Sequence, residues 1–165
     1  TRRWMTGIGL ALNEDKTQLR DARCDAFDFL GYTFSPMYSP RTGGRYNGVR
    51  PSKKAVASMR DAIRHRLRPG NQAPWEDVAR TLNRTVRGWA AYFCYGSLAK
   101  ARHDVQLYLY HSVRRFLRRR HKVAGPGYRQ FPATAVFGEL GVLAVDRLPR
   151  LAPANAARET RPRAG

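Results

Sequence analysis

The chain has 165 residues, about one domain's worth, and its 31 Lys and Arg against 12 Asp and Glu give a net charge of +19. Such a balance speaks about partners rather than fold; it points to a polyanion, with nucleic acid ahead of an anionic membrane. No apolar run approaches the roughly 20 residues of a membrane span, no secretory leader is visible, and Cys24 and Cys94 lack the Cys-x-x-Cys spacing of a zinc site and read as free thiols.

The first piece covers residues 1–49. The chain opens on Thr1 rather than Met, as a piece of a longer protein would, and Thr1 to Ile8 reads as the end of a helix. Asn13, Glu14 and Asp15 then form a connection into a strand beginning near Lys16. The run from Phe27 to Phe34 is rich in aromatic and β-branched residues and reads as a strand or tight hairpin arm. Gly31 inside it marks a bulge or a close backbone contact. Pro40-Arg41-Thr42-Gly43-Gly44-Arg45-Tyr46 is a turn that joins two short strands.

Residues 50–122 read as three helices. Ser52 is a natural N-cap for the first, whose apolar stripe is Val56, Met59, Ile63 and Leu67. Lys53, Lys54, Arg60, Arg64, Arg66 and Arg68 take the remaining surface, and Pro69-Gly70-Asn71 ends it. The second starts near Pro74-Trp75-Glu76-Asp77, where the acids suit the helix dipole, and runs to Gly96. Val78, Leu82, Val86, Trp89 and Phe93 recur every three or four positions and share its buried face. Gly88 sits mid-helix at a cost of roughly 1 kcal/mol against alanine; a close approach by another helix or by a nucleic-acid backbone would repay it. The third helix runs from near Ser97-Leu98 to about Lys122, with Val105, Leu109, Val113, Phe116 and Leu117 inside. Its end packs six cations into nine residues, Arg114 to Lys122. The pairs Arg114–Arg118 and Arg115–Arg119 repel at i,i+4 until an anion neutralises them. Residues 123–148 form an extension with apolar clusters around Phe137 and Leu140-Gly141-Val142-Leu143, and residues 149–165 read as a disordered basic tail. The expected class is therefore α+β, mainly α: short N-terminal β-hairpin elements, a three-helix bundle and a disordered tail.

The pattern Asn83…Arg87-Gly88-Trp89…Tyr92-Phe93…Gly96 resembles the signature of the thumb, or maturase, domain of group II intron-encoded reverse transcriptases. Gly9-Leu10…Asn13…Lys16-Thr17 followed by Phe27-Asp28-Phe29-Leu30-Gly31-Tyr32 is similar to the last two blocks of the palm of the same enzymes, and Leu140-Gly141-Val142 to a segment that follows their thumb. The resemblance implies a palm remnant over residues 1–49 and a thumb over 50–122. It implies Lys16 near the incoming nucleotide and Leu30, Gly31 and Tyr32 near the primer backbone. It also implies two partners for the thumb, the group II intron RNA, whose splicing-active fold it stabilises, and the template–primer copied during retrohoming. The parent would be an RNA-directed DNA polymerase using Mg2+, at work in the bacterial cytosol or nucleoid.

Two-metal polymerisation needs acids arranged to hold both ions. The acids here are scattered at turns and helix starts, and no Tyr-x-Asp-Asp loop is present. The chain alone is expected to bind rather than catalyse, with no catalytic residue, no metal site and no cofactor of its own. The residues expected to contact RNA are Lys53, Lys54, Arg60, Arg64, Arg84, Arg87, Tyr95, Arg114, Arg115, Arg118, Arg119, Arg120 and Lys122. Arg and Lys would hold phosphates and tyrosine would stack on unpaired bases. A basic helical DNA-binding module and a non-functional truncated remnant remain the alternatives.

Overall fold

The computed structural model describes residue 21 and residues 24–149. The expected helix end at Thr1 to Ile8, the strand near Lys16 and most of the basic tail lie outside them. Among the described residues three strands come first: β1 (Phe27–Phe29), β2 (Tyr32–Tyr38) and β3 (Arg45–Pro51), the last taking in Arg45 and Tyr46 from the end of the expected turn. They form one antiparallel sheet in the order β1-β2-β3. Phe29 pairs with Tyr32, so β1 and β2 are joined by only two residues, Leu30 and Gly31. Both have positive φ, 48° and 78°, as a two-residue hairpin turn matching the strand twist requires. Gly31 is thus the turn itself.

Four helices follow: α1 (Lys53–Arg66), α2 (Trp75–Tyr92), α3 (Ala99–Arg120) and the single turn α4 (Ala133–Phe137). A 3-10 turn at Val145–Arg147 closes the described chain. Ser52 caps α1, its hydroxyl accepting from the Ala55 N–H at 3.1 Å, and the Ser52 N–H donates to the Gly31 carbonyl at 2.8 Å, tying the helix start to the hairpin. The apolar stripes fall where the period places them. Ile63, Leu82, Val86, Val105, Leu109 and Val113 are fully buried in one cluster, and truncating one of the leucines would cost about 2–5 kcal/mol.

Two features depart from the sequence-based expectation. First, α2 ends at Tyr92, not at Gly96. Phe93 leaves helical geometry (φ −91°, ψ 75°) and turns its ring onto Tyr32, 5.0 Å between centroids. Gly96 does take positive φ, 78°, but the reason is a neighbour: a Cβ there would run into the Val49 carbonyl of β3. Second, the core continues past residue 122. Val136, Val142 and Val145 are buried in the same cluster as the helices. The 3-10 turn packs against both α2 and α3, as does α1. The extension therefore completes the bundle.

Candidate nucleic-acid interface

The extension is held by polar side chains of α2 and α3. Asn83 of α2 donates to the Gly141 carbonyl at 2.7 Å and accepts from the Leu143 N–H at 2.8 Å. Trp75 Nε1 donates to the Leu140 carbonyl at 3.0 Å. Arg102, only 1% exposed, donates to the Leu148 carbonyl at 2.7 Å and the Pro149 carbonyl at 3.3 Å. These polar groups satisfy backbone that folds over the apolar cluster, where an unpaired carbonyl would be costly.

The arginines of α3 divide by face. Arg114 lies 3.4 Å from the Tyr128 ring centroid and 5.3 Å from that of Tyr110. Arg118 donates to the Gly125 carbonyl at 2.8 Å, and Arg120 to the Ala73 carbonyl at 2.7 Å. Arg60 of α1 is half-buried over Tyr108. Each of these four was expected on nucleic acid, and each has a partner inside the chain.

Arg115 and Arg119 lie one position, about 100°, further round the helix. With Arg64, His65 and Arg68 they line an open groove of about 640 Å³ between α1 and α3, over Leu67, Tyr108, Ser112 and Phe116. A second depression continues it past Pro69 to Asn71, Gln72 and Arg120. The spacing explains the gathering. Tyr108, Ser112, Arg115 and Arg119 follow at three or four positions on α3, and Arg64 and Arg68 do so on α1. Arg64 is fixed by Asp61 at 2.7 Å, and the Tyr108 hydroxyl and then Asp61 raise its pKa further. The Arg68, Arg115 and Arg119 guanidiniums have no hydrogen-bond or ion-pair partner among the described residues. Three like charges around one groove repel, and an anion relieves them. Arg68 and His65 were missed as site residues; the Arg64–Arg68 interval was the available signal.

The other expected contacts sit elsewhere. Lys53 and Lys54 are exposed on the first turn of α1, and Lys122 is exposed beyond α3. Arg84 and Arg87 are exposed on α2 beside Gly88. A Cβ at Gly88 would meet no atom within 4 Å, so no helix of the described chain accounts for that glycine. Tyr95 is half-exposed. Lys16 lies outside the described residues. Of the palm-derived contacts, the Leu30 side chain is exposed, Gly31 faces the Phe93 ring, 3.1 Å from where its Cβ would be, and Tyr32 is engaged internally. Its hydroxyl donates to the Tyr92 carbonyl at 2.8 Å and accepts from the Cys94 N–H at 3.2 Å. Burial, the largest influence, moves the Tyr32 pKa up. Tyr92 returns a bond to the Leu30 carbonyl at 2.9 Å. The hairpin and the end of α2 thus clasp each other.

Among the described residues no three His, Cys, Asp or Glu side chains gather as a metal site, and no helix is long and apolar enough to cross a membrane. No curated protein matches the chain. A family model described as the group II intron maturase-specific domain matches residues 56–140, more than half of the sequence. The match begins in the stripe of α1, takes in α2 and α3 with the groove arginines, and ends where Asn83 and Trp75 pin the extension; the chain belongs to the group II intron maturase-specific domain family.

Proposed function

We infer that this chain binds group II intron RNA, holding phosphates in the α1–α3 groove and so favouring the folded, splicing-active intron. The observation that carries this is the trio of unpartnered guanidiniums, Arg68, Arg115 and Arg119, around one open groove. A folded ribozyme brings phosphates close together, and a fixed cationic surface lowers their repulsion. The exposed α2 face of Arg84, Arg87 and Gly88 adds a second cationic surface, where the bare glycine lets a sugar–phosphate backbone come close. In the parent polymerase, an Mg2+ enzyme of the bacterial cytosol or nucleoid, the same module grips the template–primer during retrohoming.

Titration of the full chain with a structured intron RNA across a salt series tests this. If about six phosphates are neutralised, affinity falls roughly a thousandfold between 50 and 200 mM salt. A flat response would remove the electrostatic grip. Tighter binding to random duplex DNA than to the intron RNA would point instead to a general DNA-binding module.

A further inference from the structure

A separate cleft lies where β3 meets the turn between α2 and α3. Tyr46, Asn47, Gly48 and Val49 form one wall and Tyr95, Gly96 and Ser97 the other, around an open volume of about 440 Å³. Tyr46 and Tyr95 are 46% and 50% exposed. Among the described residues neither ring stacks on another and neither hydroxyl is bonded. Tyr92, by contrast, has its hydroxyl on Leu30 and its ring against Tyr32 and Phe93.

The cleft is built to hold its shape. The Ser97 N–H donates to the Val49 carbonyl at 2.7 Å, and the left-handed Gly96 allows that approach. Tyr95 is thereby fixed beside the strand. The same bond orients the strand edge. Since the Val49 carbonyl points away from β2, Asn47, two residues earlier, also turns its N–H and C=O outward. No backbone partner meets them among the described residues. Two tyrosines therefore line the cleft, and the outward N–H and C=O of Asn47 stand at its wall as an adjacent donor and acceptor.

We propose that this cleft takes one unpaired nucleobase of the bound RNA, stacked on Tyr46 and Tyr95 and hydrogen-bonded along its edge by Asn47. The proposal rests on the RNA-binding reading above and adds a site for a single base to a grip on phosphates. Aromatic faces accept any base, and a paired donor and acceptor match the groups an unpaired base exposes. No acidic side chain lines the cleft, so nothing there repels the flanking phosphates. Addition of a peptide strand would use the same edge. Ser97 already occupies the Val49 carbonyl, which leaves too short an edge for a strand to pair.

The test uses the full chain and two hairpin RNAs, identical but for one bulged 2-aminopurine. The bulged RNA should bind about tenfold tighter than the paired one, as one stacked base supplies, and its fluorescence should be quenched on binding. Tyr46→Leu and Tyr95→Leu should each abolish the quenching and the preference, leaving the affinity for the paired hairpin and the melting temperature unchanged. Tyr46→Phe and Tyr95→Phe should keep both. Equal affinity for the two RNAs without quenching, a comparison that needs no variant, overturns the base site and leaves the phosphate grip standing. Quenching that survives both leucine variants also overturns it. Failure of both RNAs to bind overturns both readings.

Discussion

Two pairs of arginines on α3 share residue type and spacing, yet meet different surroundings. Arg114 and Arg118 face the loop after the helix, where Tyr128 and the Gly125 carbonyl receive them. Arg115 and Arg119 face the groove with α1, where nothing in the described chain does. The like-charge cost of an i,i+4 pair is similar for both. In the first pair it is offset within the fold; in the second it stands until an anion arrives. Charge density alone thus does not mark a binding surface. On the proposed reading, the cations left without internal partners do.

The sharpest way to break this comparison is to remove each pair separately. Arg115→Ala with Arg119→Ala should weaken RNA binding by about 30-fold, the loss of two exposed charge-assisted contacts at about 1 kcal/mol each. The slope of affinity against salt should fall by about two. Melting should be unchanged or slightly higher, because a repulsion is gone. An affinity within twofold of the parent would move the contact surface off the groove. Arg114→Ala with Arg118→Ala should do the reverse. Losing the cation–π contact and the carbonyl bond should cost about 2 kcal/mol of stability, or roughly 4–8 °C in Tm for a chain of this size, with the salt slope retained. If that variant melts like the parent and loses RNA instead, the division by face is wrong.

The comparison also shows where sequence reasoning runs out. The stripes Val78, Leu82, Val86 and Val105, Leu109, Val113 were readable because burial on a helix follows its period. The Ser52 cap was readable because its hydroxyl suits a helix start. The turn at Leu30–Gly31 was not, because a glycine inside a β-rich run reads as a bulge and a leucine gives no sign of its positive φ. The split among the arginines was not. It depends on Tyr128 and Gly125 closing over one face of α3, contacts made by a loop whose sequence carries no period. Asn83 stood out as part of a pattern, but its bonds to Gly141 and Leu143 cross 58 and 60 residues. Tyr46 gave no signal, since it read as the end of a turn rather than as part of β3, and only the turn at Gly96 sets it opposite Tyr95.

The glycines sharpen the same contrast between internal and external use. Gly96 is required by the fold, because a side chain there meets the β3 backbone. At Gly88 a side chain would meet nothing beyond its own helix within 4 Å. Gly88→Ala should therefore stabilise α2 by up to about 1 kcal/mol and lower RNA affinity several-fold. A gain in Tm with no loss of affinity would show that no backbone approaches that face.

The smallest effect concerns His111, which sits beside the seam between the two arginine pairs. Partial burial, then Arg114, then Arg115, lower its pKa below the ordinary histidine value of 6.5. In the window between the folded value and 6.5 the unfolded chain binds more protons, so stability rises with pH there. The contribution of neutral His111 is complete above 6.5 and is lost as pH falls through the folded value. A phosphate held by Arg115 adds negative charge near the ring and should raise the folded pKa, so that RNA binding draws in a proton within this window. An NMR titration of the imidazole with and without RNA reads both shifts. Arg115→Ala should raise the free value slightly and abolish most of the change on binding. Arg114→Ala should raise the free value too but leave the RNA-induced change in place. The same response in both variants would mean that RNA does not distinguish the two faces of α3.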